Sequence, residues 1–154
     1  MLQSFTQGEQ DDPSTPAIEV NGLNTITTLA QSKDGSSVYV AGGSGSAYSL
    51  VQFSRDATTG QLSYVGIVAT QGLNGVSGLD AAVSEIVMSD DGTSLYAIND
   101  VSPTDGLTNK IAVVFFSRDT SSGALTFVGS LVGSDTIPLK SPSGIVLSSD
   151  GTSA

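Results

Sequence analysis

Phe53–Gly66 reads FSRDATTGQLSYVG, and Phe116–Gly129 reads FSRDTSSGALTFVG. The two stretches share Phe-Ser-Arg-Asp, then a Gly, a Leu and a closing Val-Gly. Most of the other places exchange Thr for Ser or Tyr for Phe. Copying of this kind within 154 residues marks an internal repeat. Each copy carries a turn between two apolar runs. In Asp56-Ala57-Thr58-Thr59-Gly60 and Asp119-Thr120-Ser121-Ser122-Gly123 the aspartate can accept backbone N–H groups across the turn. Gly60 and Gly123 then take the left-handed position that a residue without Cβ adopts freely. Arg55 and Arg118 precede these turns and are placed to clamp the neighbouring aspartate, a scaffold role.

The repeat extends outward from these stretches. Ser32–Ala41 (SKDGSSVYVA) matches Ser89–Ile98 (SDDGTSLYAI), and Ser148–Ala154 (SSDGTSA) begins a third copy. The Asp-Gly pairs Asp34-Gly35, Asp91-Gly92 and Asp150-Gly151 are spaced 57 and 59 residues apart, and each suits a tight hairpin. One unit reads as four strands. The first precedes the Asp-Gly (Ile26–Ala30, Val83–Met88, Ile145–Leu147) and the second follows it (Val38–Ala41, Leu95–Ile98). The third is Leu50–Phe53 or Ile111–Phe116, and the fourth is Gln61–Val68 or Ala124–Val132. The units differ mainly in one loop, GGSGSAY at Gly42–Tyr48 against NDVSPTDGLTNK at Asn99–Lys110.

Composition agrees with an all-β chain. Hydrophobic residues make up 38% and charged residues only 13%, with 18 glycines punctuating short Val, Leu, Ile, Tyr and Phe runs. The run IAVVFF (Ile111–Phe116) is apolar on both faces, as in a strand whose sheet is covered on both sides. Stacked four-stranded antiparallel units of this kind make a β-propeller. A two-sheet sandwich would require strict alternation with one polar face. The expected organisation is the tail of a preceding blade and a linker over 1–21, blades over 22–77 and 78–137, and the start of a third blade over 138–154. This amounts to an incomplete ring of about two full blades with partial blades at both ends. Because a blade cannot bury both faces alone, such a segment should belong to a larger ring or associate with copies of itself, and be weakly stable as a monomer.

The motifs DGSSVYVAGG and VQFSRDATTGQLSYV resemble the YVTN-type repeat of bacterial lactonase-like β-propellers, over nearly all of the chain from Gly22 onward. The proline usual before Asp-Gly is replaced by Lys33, Asp90 and Ser149, and LYAIND stands where VYVAGG is typical. The resemblance implies a bacterial, exported protein, extracellular, periplasmic or on the cell surface. Met1-Leu2-Gln3-Ser4 shows no signal peptide. Some relatives hydrolyse sugar lactones, but none of their catalytic residues maps onto a position here.

The net charge is −10, and the five basic residues Lys33, Arg55, Lys110, Arg118 and Lys140 are scattered. Without a basic stripe to neutralise phosphates, nucleic acid is excluded as a partner, and an anionic membrane surface is disfavoured. No apolar run approaches the length of a membrane span. Histidine and cysteine are absent, which removes Ser–His and Cys–His machinery and the usual zinc ligand sets.

Two features offer chemistry. Counted back from Asp-Gly, Thr28, Glu85 and Gly144 occupy one place in the first strand, which lines the channel of a propeller. Glu85 is therefore a candidate channel-facing carboxylate, a cation ligand or general base, or else one bonded to a neighbouring blade's backbone. Asp100, Asp105 and Asn109 form a candidate cation-binding loop of the kind that suits Ca²⁺. Their spacing departs from the twelve-residue calcium loop, and the same residues make ordinary turns. No catalytic residue, bound metal or cofactor is expected. The leading expectation is a non-catalytic binding or scaffold segment whose partners are further blades of the same protein or copies of itself, with a protein or carbohydrate ligand at the loops. The alternatives are a fragment of a lactonase-type hydrolase and a segment of an extracellular repeat or adhesin protein.

Overall fold

The fold is that of a computed structural model, which describes residues 20–44, 47–101, 110–133 and 144–148. Eight strands are described: β1 Thr28–Gln31, β2 Ser37–Ser44, β3 Ala47–Arg55, β4 Leu62–Thr70, β5 Val83–Met88, β6 Ser94–Val101, β7 Lys110–Arg118 and β8 Leu125–Val132. They form two antiparallel four-stranded sheets, ordered β1-β2-β3-β4 and β5-β6-β7-β8. A short 3-10 turn, Leu73–Gly75, lies on the connection between them. The strands lie within a few residues of the expected ones. The exception is Ile145–Leu147, which lies in a described stretch without regular secondary structure. Residues 1–19 and most of the segment assigned to a third repeat, including Asp150 and Gly151, lie outside the described residues.

The register confirms that the sheets are copies. Gln31 pairs with Val38 and Thr28 with Ala41, while Met88 pairs with Leu95 and Glu85 with Ile98. Thr28 and Glu85 are thus structurally equivalent. The closing Val-Gly of the repeated stretch also acquires a reason. Phe53 pairs with Tyr64 but Gln52 with Gly66, and Phe116 pairs with Phe127 but Phe115 with Gly129. Val65 and Val128 fall out of register at the same place. A bulge there leaves one residue unpaired, and these valines sit exposed at 52% and 68%.

Each sheet uses both faces. One face of the first sheet holds Val40, Val51 and Phe53, closed by Val20, which precedes β1. Its other face holds Tyr39, Ala41 and Leu50, which merge with Leu95, Ala97, Val114 and Phe116 of the second sheet into one core. Val76 and Leu79 join that core from the connection, in the place Val20 and Leu23 hold ahead of the first sheet. Burial on both faces is what apolar runs such as Ile111–Phe116 require, and it rules out a one-sided sandwich sheet. At one side of the stack β1 lies beside β5, where the Thr27 hydroxyl donates to Val83 O.

Candidate functional site

The repeated turns consume their own aspartates. Asp34 Oδ1 accepts from Ser32 Oγ at 2.6 Å, Ser36 N at 2.9 Å and Ser36 Oγ at 2.7 Å. Asp91 is held in the same way by Ser89 and Thr93. In the other turn type, Asp56 Oδ1 accepts the N–H groups of Thr58 and Thr59, and Asp119 Oδ1 those of Ser121 and Ser122. Gly35, Gly60, Gly92 and Gly123 follow with φ of 70°, 75°, 71° and 74°. Hydrogen bonds to a carboxylate favour its charged form. The Ser89 hydroxyl is the main cause holding Asp91 down to about 2, and the Ser121 hydroxyl does the same for Asp119, also down to about 2. Asp56 is lowered chiefly by the Thr59 N–H. Asp34 is held lowest, first by the Ser32 hydroxyl, then by Ser36, with the Arg118 charge adding to them.

Arg118 does not clamp Asp119. It crosses to the first sheet, where its side chain is 0% exposed. Nε donates to the Tyr39 hydroxyl at 2.9 Å and Nη1 to Gly92 O at 3.2 Å. Nη2 donates to Asp34 Oδ2 at 3.2 Å, Ser36 Oγ at 3.1 Å and Ser37 Oγ at 3.2 Å. The Tyr39 hydroxyl in turn donates to Gly123 O, and Gln52 Nε2 donates to Ser122 O at 2.9 Å. Burial raises the Tyr39 hydroxyl above its ordinary value, which keeps it protonated and able to donate. A planar guanidinium with a fork of donors can satisfy such a cluster; an ammonium cannot. Lys33 Nζ meets Asp90 at 2.8 Å on the exposed rim between the same sheets. A pair so exposed contributes little.

A pH dependence follows. The turn carboxyls titrate lower in the folded chain than their ordinary unfolded value of about 3.9. Their stabilisation is therefore complete above the unfolded value and is lost as pH falls through the folded one. Acid also relieves the repulsion within a chain of net charge −10, so a difference is the informative quantity. The urea midpoint of the wild type should exceed that of Asp34→Asn by a constant amount from neutral pH down to about 5, and the gap should close below about pH 4. A gap that widens on acidification would contradict the assignment.

Glu85 is half-buried, and its Oε2 accepts the Ile145 N–H at 3.1 Å. Gly144, at the equivalent place of the third repeat, packs against the same carboxylate. Among the described residues no cluster of carboxylates joins it. Asp100 lies on β6, while Asp105 and Asn109 lie outside the described residues. The neighbouring Asn99 is buried, with Nδ2 donating to Gly78 O and Oδ1 without a hydrogen-bond partner. Among the described residues no helix is long and apolar enough to cross a membrane.

Sequence reasoning identified the turns but missed the interblade role of Arg118. Its signal was present in the shared Ser-Arg-Asp and in the Tyr following each Asp-Gly, two elements read separately.

Two copies of a four-stranded antiparallel sheet, packed face to face with their first strands side by side, are two blades of a β-propeller. The solved structure of an assigned 6-phosphogluconolactonase from Bacteroides fragilis shares this fold. It has a TM-score of 0.61 over 88% of this chain and 32% of its own, at 23% sequence identity. The present chain thus spans about a third of that protein's length. A Lactobacillus plantarum protein aligns over 68% of this chain and 41% of its own at 19% identity, with a TM-score of 0.37. No protein-family model and no curated protein matches the sequence.

Proposed function

We propose that the chain is a non-catalytic scaffold and binding segment of a lactonase-like β-propeller of the YVTN-repeat kind. The observation that carries this reading is the fate of its carboxylates. Asp34, Asp56, Asp91 and Asp119 each stitch a turn, and Glu85 holds a backbone N–H of the following repeat. Carboxylates held below their ordinary range are poor general bases at neutral pH, because efficient bases titrate near it. What is left for function is the set of loops that rigid blades present, the usual place for recognition. Further blades or copies of the chain complete the scaffold. The loops then take a protein or carbohydrate ligand in an extracellular, periplasmic or cell-surface setting. No resident cofactor is needed, and the loop with Asp100, Asp105 and Asn109 is read as a turn rather than a calcium site.

The second reading is a segment of a hydrolase acting on sugar lactones, and it draws on the name of the Bacteroides fragilis protein. The two are separated by titrating acid release from gluconolactone and 6-phosphogluconolactone in a pH-stat. The scaffold reading expects the rate in buffer alone. Turnover above buffer that disappears in Glu85→Gln or Asp105→Asn would establish the hydrolase instead.

A further inference from the structure

The two blades meet through a donor edge and an acceptor face, and the repeat places a second copy of each on the far sides of the pair. The acceptor face of blade 1 is Asp34, Ser36, Ser37 and Tyr39, which receives Arg118. At the same places blade 2 carries Asp91, Thr93, Ser94 and Tyr96. Val87, Tyr96 and Phe115 are register partners, so they share one face of the second sheet. All three are half-buried. The Tyr96 ring stands edge-on to Phe115 at 5.4 Å, and its hydroxyl has no hydrogen-bond partner among the described residues.

The spare donor is Arg55, which occupies the place of Arg118 in blade 1. It is half-buried, and its one hydrogen bond among the described residues is a long one, from Nη1 to Gly35 O at 3.4 Å. That bond corresponds to the one between Arg118 and Gly92 O. Arg118 makes five further kinds of contact across the blades, whereas Arg55 makes none. The chain has two arginines. With Arg118 engaged and Arg55 on the opposite side of the pair, the acceptor face of blade 2 has no guanidinium of its own chain to receive.

We propose that a second copy of this chain docks its blade 1 on the open face of blade 2, with its Arg55 entering among Asp91, Thr93, Ser94 and Tyr96. Charge on the rim favours the same occupant. Lys33 of blade 1 already meets Asp90 of blade 2, and an incoming blade 1 brings a lysine to that aspartate again. The junction lacks one polar contact, because Phe115 stands where Gln52 donates to Ser122 O. It is therefore weaker than the junction within the chain. Donor edge and acceptor face are different surfaces, so the association is head-to-tail and continues until a ring closes.

The test is sedimentation velocity on the full chain over a concentration series at physiological ionic strength, where the general repulsion between acidic copies is screened beyond about 8 Å. Wild type should associate with rising concentration. Arg55→Ala and Tyr96→Phe should each weaken association about tenfold or more, because each leaves a partner group unpaired in a desolvated contact. Both variants should keep the wild-type melting curve, since neither residue joins the junction within the chain. An equimolar mixture should regain a dimer, because Arg55 of the Tyr96→Phe chain meets Tyr96 of the Arg55→Ala chain. A wild type that stays monomeric, association indifferent to both substitutions, or a mixture no stronger than either variant alone would each overturn the proposal.

Discussion

Arg118→Ala is expected to destabilise the chain by about 3–5 kcal/mol, the cost of breaking a buried charged pair by removing one partner. For a chain of this size that corresponds to a fall in melting temperature on the order of 10 °C. The reason lies in what the guanidinium leaves behind. Tyr39 loses the donor to its hydroxyl, Gly92 O loses a donor, and Ser37 stays buried beside an empty volume. The Asp34 pair alone would not supply such a loss. That carboxylate is 43% exposed, and solvent screens much of its attraction. Most of the effect should therefore survive in Asp34→Asn, which keeps the Tyr39, Gly92 and serine contacts, and vanish only when the arginine itself goes. Arg118→Lys should recover little, because an ammonium cannot span the same acceptors. Arg55→Ala, at the matching place of the repeat, should stay within about 1 kcal/mol of wild type by urea unfolding, as surface substitutions do.

Phe116→Ala should cost a comparable amount, about 3–5 kcal/mol, in the range found for buried aromatic truncations. Phe116 is 2% exposed, and its ring meets Phe127 edge-on at 6.0 Å. It lies in the core that both blades build, beside Leu95, Val114 and, from the other sheet, Leu50. The cavity therefore opens between the blades, so both should unfold together and near-ultraviolet and far-ultraviolet signals should move in parallel. Val128→Ala, twelve residues further on, supplies the control. Val128 projects from the bulge into solvent and should change stability by no more than about 0.5 kcal/mol. A large effect at Val128 with a small one at Phe116 would mean that the two faces of the second sheet had been exchanged.

The fold was legible in the sequence because its carriers are local. Asp-Gly and Asp-x-x-x-Gly are turn chemistry that a few neighbouring residues complete, and Ile111–Phe116 declares double-sided burial without reference to anything distant. The matching of Thr28 with Glu85 also followed from counting back to Asp-Gly, since the hairpin fixes the register. The junction between blades was a different matter. Arg118 and Asp34 are 84 residues apart, and nothing in SRD distinguishes an arginine that clamps the next residue from one that crosses to another sheet. Arg55 and Arg118 have the same neighbours and different surroundings; only packing separates them. The bulge behind Val-Gly escaped for a similar reason. A valine in an apolar run reads as core until the partner strand shows that it has slipped out of register. Glu85 stood out as a lone carboxylate in an apolar strand, but its bond to Ile145 N–H depends on a neighbouring repeat.

The central claim is that two sequence repeats are locked into one body by the Arg118 junction. The most direct measurement is a double-mutant cycle on Arg118→Ala and Tyr39→Phe, read by urea unfolding. The account predicts a coupling free energy of about 1 kcal/mol or more, because residues that share a buried hydrogen-bond network do not contribute independently. Strict additivity of the two substitutions would show that the blades are not joined through these side chains.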